Sequence, residues 1–328
     1  MATAASRRDF EFRANSLECR FRDDVLAGLG QERKAIPARW FYDTRGSEIF
    51  EEITQLPEYY PTRAEVATLE QHGGELGEAI GPDRIVVEFG AGSATKTPLL
   101  LDRIAPSAYV PIDIAGEFLR QSCAALAESY PDLPIFPIEA DFTRATPIPS
   151  ELLGHERLGF FPGSTIGNLE PRAAVDLLRE MRATLGDGSL LLIGMDRIKA
   201  PGTLLAAYDD AAGVTARFNL NLARRINDEL DGTIPLDALV HRAVWNEDRA
   251  RIEMHLEATR DISFHVCARY FTLLAGETIH TENSHKYDEA GARTLLLAGG
   301  WEPTHFYSDR DNRFMVVLAR AIETAITP

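Results

Sequence analysis

The chain has 328 residues, 45% hydrophobic and 26% charged, which gives a soluble globular protein of one large domain or two interlocked ones. Its formal net charge of -16 repels phosphate backbones and speaks against nucleic acid as a partner. Cys19, Cys123 and Cys267 form no CxxC pair, MATAASRRDFEF lacks the apolar core of a secretory signal, and runs such as LLLIGM are too short for a bilayer, so a cytoplasmic monomer without metal or membrane partner is expected.

The first 60 residues fit no simple pattern, although Asp43 and Arg45 in YDTRG are candidates for a structural pair. From 84 onward, strand-like and helix-like runs alternate. RIVVEF at 84–89 reads as a buried strand, followed by a helix near 95–104, a strand at 109–112, a helix near 114–128 and a strand at 135–138. A strand at 157–161, a helix near 171–185 and a strand at 189–194 continue the series. This alternation predicts an α/β fold with a parallel sheet covered by helices on both faces.

The rhythm changes after 197. Val214, Phe218, Leu222 and Ile226 mark one face of a helix. In RIEMHLEA, Ile252, Met254, Leu256 and Ala258 alternate with polar residues, as in a half-buried antiparallel strand. Residues 238–246 and 264–274 read as its neighbours, and 312–319 as a strand that rejoins the first sheet. His241, His255 and His265 fall in this region without a ligand-like spacing and read as surface or packed histidines.

The first chemistry lies in VVEFGAGSATKT. A strand ends in Glu88-Phe89, and Gly90 and Gly92 allow a tight turn and close backbone approach to a ligand. A dinucleotide fingerprint needs a third glycine where Thr95 stands; S-adenosylmethionine, which has no phosphate, does not need it. Asp113, at the tip of the second strand, can accept both ribose hydroxyls; the plain alternative is a helix cap. Asp141 and Phe142 end the third strand, where an acid can take the adenine amino group and the next N–H a ring nitrogen. Lys96 is a candidate for the methionine carboxylate or for a solvent-facing cap. After the fourth strand, FPGSTIGNLEP differs from the [DNS]PP[FYW] loop shared by DNA adenine methyltransferases; its Thr165 and Asn168 suit a small zwitterion.

FYDTRGSEIFEEITQLPEYYPTRAE, VVEFGAGSATKT, FPGSTIGNLEP, AAYDDAAGVTARFN and ETIHTENSHKY, in this order, resemble the L-histidine Nα-methyltransferase family of ergothioneine biosynthesis from about residue 36 onward. The resemblance implies a class I (Rossmann-like) methyltransferase sheet over 61–197 and 286–328, and a second α+β domain over 1–60 and 198–285 that binds substrate. It implies three methyl transfers from S-adenosylmethionine to the α-amino group of L-histidine, giving hercynine. It places Tyr42 and Tyr59 at the amino end, with Tyr60 one residue away, and Phe50 in the chamber wall. Thr165 and Asn168 would hold the α-amino and carboxylate region, Tyr208 the carboxylate, Glu282 and Ser284 the imidazole, and Met254 would pack near the ring. Two other classes stay open: a methyltransferase of another amino acid or small amine, and a non-catalytic S-adenosylmethionine-binding protein.

Overall fold

The structure, a computed structural model, describes residues 19–144 and 146–323; the MATAASRRDFEF stretch lies outside the described residues. The described chain begins with helices α1 (19–29), α2 (Thr44–Thr54) and α3 (Tyr60–Ile80). Asp43 caps α2: its Oδ1 accepts from Gly46 N at 2.6 Å and from Asn221 Nδ2 at 3.0 Å. The carboxylate is therefore committed to a cap and to a distant helix, and the expected pair with Arg45 is not made.

Next come β1 (Ile85–Phe89), α4 (Thr97–Ile104), β2 (Ala108–Asp113), α5 (Gly116–Ser129), β3 (Ile138–Glu139), β4 (Arg157–Phe161), α6 (Pro171–Leu185) and β5 (Leu190–Asp196). After α7 (Pro201–Tyr208) and α8 (Val214–Glu229) follow β6 (Leu239–Asn246), β7 (Arg251–Ala258), β8 (Ile262–Val266), β9 (Arg269–Leu273) and β10 (Thr278–His285). The described chain closes with α9 (Glu289–Ala298), β11 (Trp301–Ser308) and β12 (Phe314–Ala321).

Seven strands form one sheet in the order β11-β12-β5-β4-β1-β2-β3. Strands β1 to β5 pair in parallel, and β12 runs antiparallel to both β5 and β11. The chain moves outward from β1 to β3 and then crosses back to β4 on the other side of β1. The crevice for a ligand therefore opens at the carboxyl ends of β1 and β4. Both faces of the sheet are covered, which is why its strands are continuous apolar runs. Val86, Phe160 and Leu192 face one core with α3 and α8, while Val87, Phe161 and Ile193 face another with α6 and α9.

A separate antiparallel sheet, β10-β7-β6, packs against α8. The run 264–274 does not pair with β7 as expected. It folds back on itself: β8 and β9 form their own ladder, with Phe264 opposite Phe271. The reversal falls at Cys267, whose φ of 51° supplies the left-handed turn. The second neighbour of β7 is β10. The third strand is shorter than expected, because beyond an isolated Tyr109–Ile135 bridge only Ile138 and Glu139 join the ladder. No helix among the described residues is long and apolar enough to cross a membrane.

One buried acid links α3 to the main sheet. Glu65 lies against Gly194 of β5, where an added Cβ would come within 2.0 Å of Glu65 Oε1. Both Glu65 oxygens accept from Gly163 N at 2.9 Å, and Oε2 accepts from Lys96 Nζ at 2.5 Å. Gly194→Ala should displace this carboxylate and lower the unfolding free energy by about 1–3 kcal/mol, read as a shift of the urea midpoint without a change in slope.

Candidate active site

The loops after β1 and β4 face one another across a cavity that reaches the second sheet. Of the residues predicted from sequence, Tyr42, Phe50, Tyr59, Glu88, Gly90, Gly92, Lys96, Asp113, Phe142, Thr165, Asn168, Tyr208, Glu282 and Ser284 all line it. Three levels can be told apart: an acidic turn at β1, an aromatic middle, and a polar end on β10.

At the turn, Gly90 and Gly92 have φ of 74° and 53°, and a Cβ at Gly92 would meet open space. The glycines are required by backbone conformation, and Gly90 also lets the Phe142 ring come close. Asp113 Oδ2 accepts from Gly92 N at 2.9 Å and Oδ1 from Ala115 N at 2.8 Å. Burial pushes its pKa up, and these N–H groups oppose the rise. Glu88 is buried under the turn, held by the Thr97 and Tyr109 hydroxyls at 2.7 Å, and burial pushes its pKa up to about 7. Two acids, Asp113 and the buried Glu88, thus flank the glycine turn.

Two predicted residues stand elsewhere. Asp141 Oδ1 accepts from Thr143 N and Oγ1, and Oδ2 pairs with Arg20 of α1 at 3.2 Å. A turn and an ion pair use up that carboxylate, and Phe142 and Thr143 line the cavity in its place. Met254 is buried in the hydrophobic core on β7, opposite Glu282, and does not reach the cavity. Lys96 does line the cavity, but its ammonium is engaged by Glu65.

The aromatic middle is a chain of edge-to-face rings. Centroids lie 5.7 Å apart for Tyr42–Phe50, 6.2 Å for Phe50–Tyr59 and 6.2 Å for Tyr59–Tyr208. Burial, with Glu282 nearby, raises the pKa of Tyr42 and Tyr59 well above the usual phenol value. Both stay protonated, and neither hydroxyl has a protein partner among the described residues. Tyr60, one residue on, points away from the cavity and donates to Asp196 Oδ2 at 2.7 Å.

The polar end depends on a β-bulge. The register of β10 against β7 shifts between His280 and Glu282, with Thr281 as the extra residue. Buried Thr281 donates to Asn219 Oδ1 at 2.8 Å, and His280 Nε2 donates to the Glu282 carbonyl at 2.9 Å. Because side chains alternate along a strand, the bulge exchanges the two faces and aims Glu282 and Ser284 inward. Gly167 lets the β4 loop dock on this strand, since a Cβ there would lie 2.8 Å from the His285 carbonyl. His241 is packed as expected: Nδ1 accepts from Asn219 and Nε2 donates to the Tyr208 carbonyl, both at 2.8 Å. His255 differs from expectation, for ligand atoms of Glu253, His255 and His280 converge within 4.8 Å on the outer face. There Arg251 holds Glu253 at 2.8 Å within β7, the Glu282 carbonyl holds His280 within β10, and the His255 and His280 rings stack across the two strands with centroids 4.8 Å apart.

The family described as "Histidine-specific methyltransferase, SAM-dependent" matches residues 21–321. The chain belongs to this family. A histidine N-alpha-methyltransferase from Mycolicibacterium smegmatis is 39% identical over 93% of this chain and 96% of its own length. One from Mycobacterium tuberculosis is 38% identical over 91% and 94%. Among solved structures, the CcbJ methyltransferase of Streptomyces caelestis superposes with a TM-score of 0.49 and 16% identity, covering 86% of this chain and 99% of that one. This histidine-specific methyltransferase family member thus has the class I fold and takes S-adenosylmethionine as cosubstrate.

Sequence reasoning missed Glu65 and Lys286, although both lie inside quoted motifs, because nothing local marks a buried charge whose partners are distant in the chain. Glu282 was found. Its pKa is pushed up to about 8 by burial, against the pull of Lys286. With the folded pKa above the unfolded one, stability present below pH 4.5 is lost as pH rises toward 8. Glu282→Gln should therefore melt above the parent at pH 8, and the gap should close by pH 5; an equal gap at both would show that the acid does not titrate in the fold.

Proposed function

We propose that this enzyme transfers three methyl groups from S-adenosylmethionine to the α-amino group of L-histidine, giving hercynine. The observation that carries the reading is one cavity joining the Gly90–Gly92 turn to an inward-facing Glu282–Ser284 pair, with an aromatic chamber between. In this reading 61–197 and 286–328 hold the donor, and 1–60 with 198–285 hold the acceptor. The two mycobacterial relatives, named as histidine N-alpha-methyltransferases, support the α-amine of histidine as the acceptor.

Bound S-adenosylmethionine supplies the methyl group as a sulfonium. Gly90 and Gly92 admit its amino acid portion, Asp113 takes the ribose, and Phe142 flanks the base. The chain's other task is to align a neutral amine lone pair and exclude water. Tyr42 and Tyr59, held protonated, orient the amine and do not abstract its proton, which leaves to water. Thr165 and Asn168 face the amino acid end from the β4 loop; Thr165 donates to the Pro162 carbonyl at 3.1 Å, and the Asn168 amide has no protein partner among the described residues. The rings of Tyr42, Phe50 and Tyr59 give a growing quaternary ammonium aromatic faces once its N–H donors are gone. At the far end Glu282 accepts the imidazole N–H.

Mass spectrometry of L-histidine incubated with S-adenosylmethionine should show three successive methyl additions. Histidine left unchanged while another amine gains methyl would reject this substrate, and cofactor binding without turnover on any amine would reject an enzyme. Glu282→Ala should raise the KM for histidine about 10- to 100-fold, the cost of leaving a buried ring N–H without its partner. Its affinity for S-adenosylhomocysteine should stay near that of the parent; equal histidine kinetics would remove Glu282 from the ring site.

A further inference from the structure

Lys286 lies behind the cavity wall that Ser284 and Tyr208 face. Its side chain is fully buried and its ammonium meets three acceptors: Asp196 Oδ2 at 2.8 Å, Ser284 Oγ at 2.7 Å and Tyr208 OH at 3.0 Å. Asp196 is itself held by Lys199 Nζ at 2.6 Å and by the Tyr60 hydroxyl at 2.7 Å. Burial works against the Asp196 charge, but Lys286 and Lys199 outweigh it and keep its pKa below the ordinary range.

An ammonium has three N–H donors and no lone pair. All three are used here, so both hydroxyl oxygens must accept from Lys286. These oxygens are also 2.6 Å apart, so one hydroxyl donates to the other. If Tyr208 donates, the Ser284 proton is left over; if Ser284 donates, the Tyr208 proton is left over. Either way the pair keeps one O–H. No other protein acceptor meets either oxygen among the described residues, and both side chains line the cavity. The spare proton is therefore left for whatever fills the cavity.

We infer that Lys286 is a positioning residue that fixes Ser284 and Tyr208 as a hydrogen-bond donor, so that the site selects a ligand presenting a lone pair at this point. The inference rests on the histidine reading above and sharpens it. Glu282, on the same face of β10, accepts one ring N–H. The donor pair takes the lone pair of the other nitrogen. The bound ring is then neutral imidazole in a single tautomer. A ring without that lone pair leaves a buried hydroxyl proton unpaired. Because Tyr208 and Ser284 share one spare proton, Tyr208 cannot donate to the carboxylate while Ser284 donates to the ring.

The test compares KM for L-histidine with KM for the two pyrrolylalanine isomers, whose rings carry an N–H and no lone pair. In the parent the better pyrrole isomer should have a KM at least about 10-fold above histidine, since a site built around a polar group rejects its missing partner. In Lys286→Met either hydroxyl can turn and accept, and the ratio should fall severalfold, with KM for histidine changing more than kcat. A folded Lys286→Met, judged by its melting transition and S-adenosylhomocysteine binding, that keeps the parental ratio overturns the inference. If that variant does not fold, Tyr208→Phe combined with Ser284→Ala leaves the Lys286–Asp196 pair in place and should lose the ratio. Each single change should keep much of it, because the surviving hydroxyl still accepts from Lys286 and has its own proton to give. A double variant that discriminates like the parent also overturns the inference. A parent that does not methylate histidine at all counts against the proposed substrate, a result distinct from either of these.

Discussion

The Glu65 carboxylate fastens together parts of the protein that are far apart in the chain. It rises from α3, rests on Gly194 of β5, receives the Gly163 N–H of the β4 loop and binds the Lys96 ammonium beside the β1 turn. A buried charge is costly unless it is paired and fully hydrogen-bonded, and here it is both. The contact sets the distance between the β1 turn and the β4 loop, which line the cavity together. Methyl transfer depends on such a distance, because the two reacting atoms must be held in line.

Beyond this junction the cavity changes character along its length. Two acids flank the glycine turn. The ring chain from Tyr42 to Tyr208 is apolar apart from hydroxyls. The β10 end is directional, with a carboxyl group and a hydroxyl pair backed by a buried ammonium. Charge chemistry, shape and hydrogen-bond polarity are thus separated in space, so each end of a small zwitterionic substrate meets a different kind of surface.

Much of this was legible in the sequence, for definite reasons. The strands β1, β4 and β5 are short apolar runs bounded by glycine or proline, and α8 and β7 show their periods plainly. Turn glycines and an acid at a strand tip mark a ligand crevice without any alignment. Strand β11 was hidden by Pro303, which sits where its ladder with β12 shifts register. The run 264–274 looked like one strand because a left-handed Cys267 is not a residue that announces a turn. At the site, Asp141 and Met254 had the right residue types in the right motifs. Their placement was decided by Arg20 and by the core beneath β7, neither of which can be read locally. Glu65 and Lys286 show the same limit from the other side.

The bulge at Thr281 makes the inward-facing set a matter of counting. Straightening the ladder with no residue lost, so that Thr281 pairs with Met254, would turn Asn283 and His285 toward the cavity in place of Glu282 and Ser284. A carboxyl and a hydroxyl would give way to an amide and an imidazole with no point substitution at all. Changes in what this scaffold recognises could therefore arise by loss of the bulge alone, a one-residue slip of register, and aligned positions in a slipped descendant would name the wrong residues as its contacts.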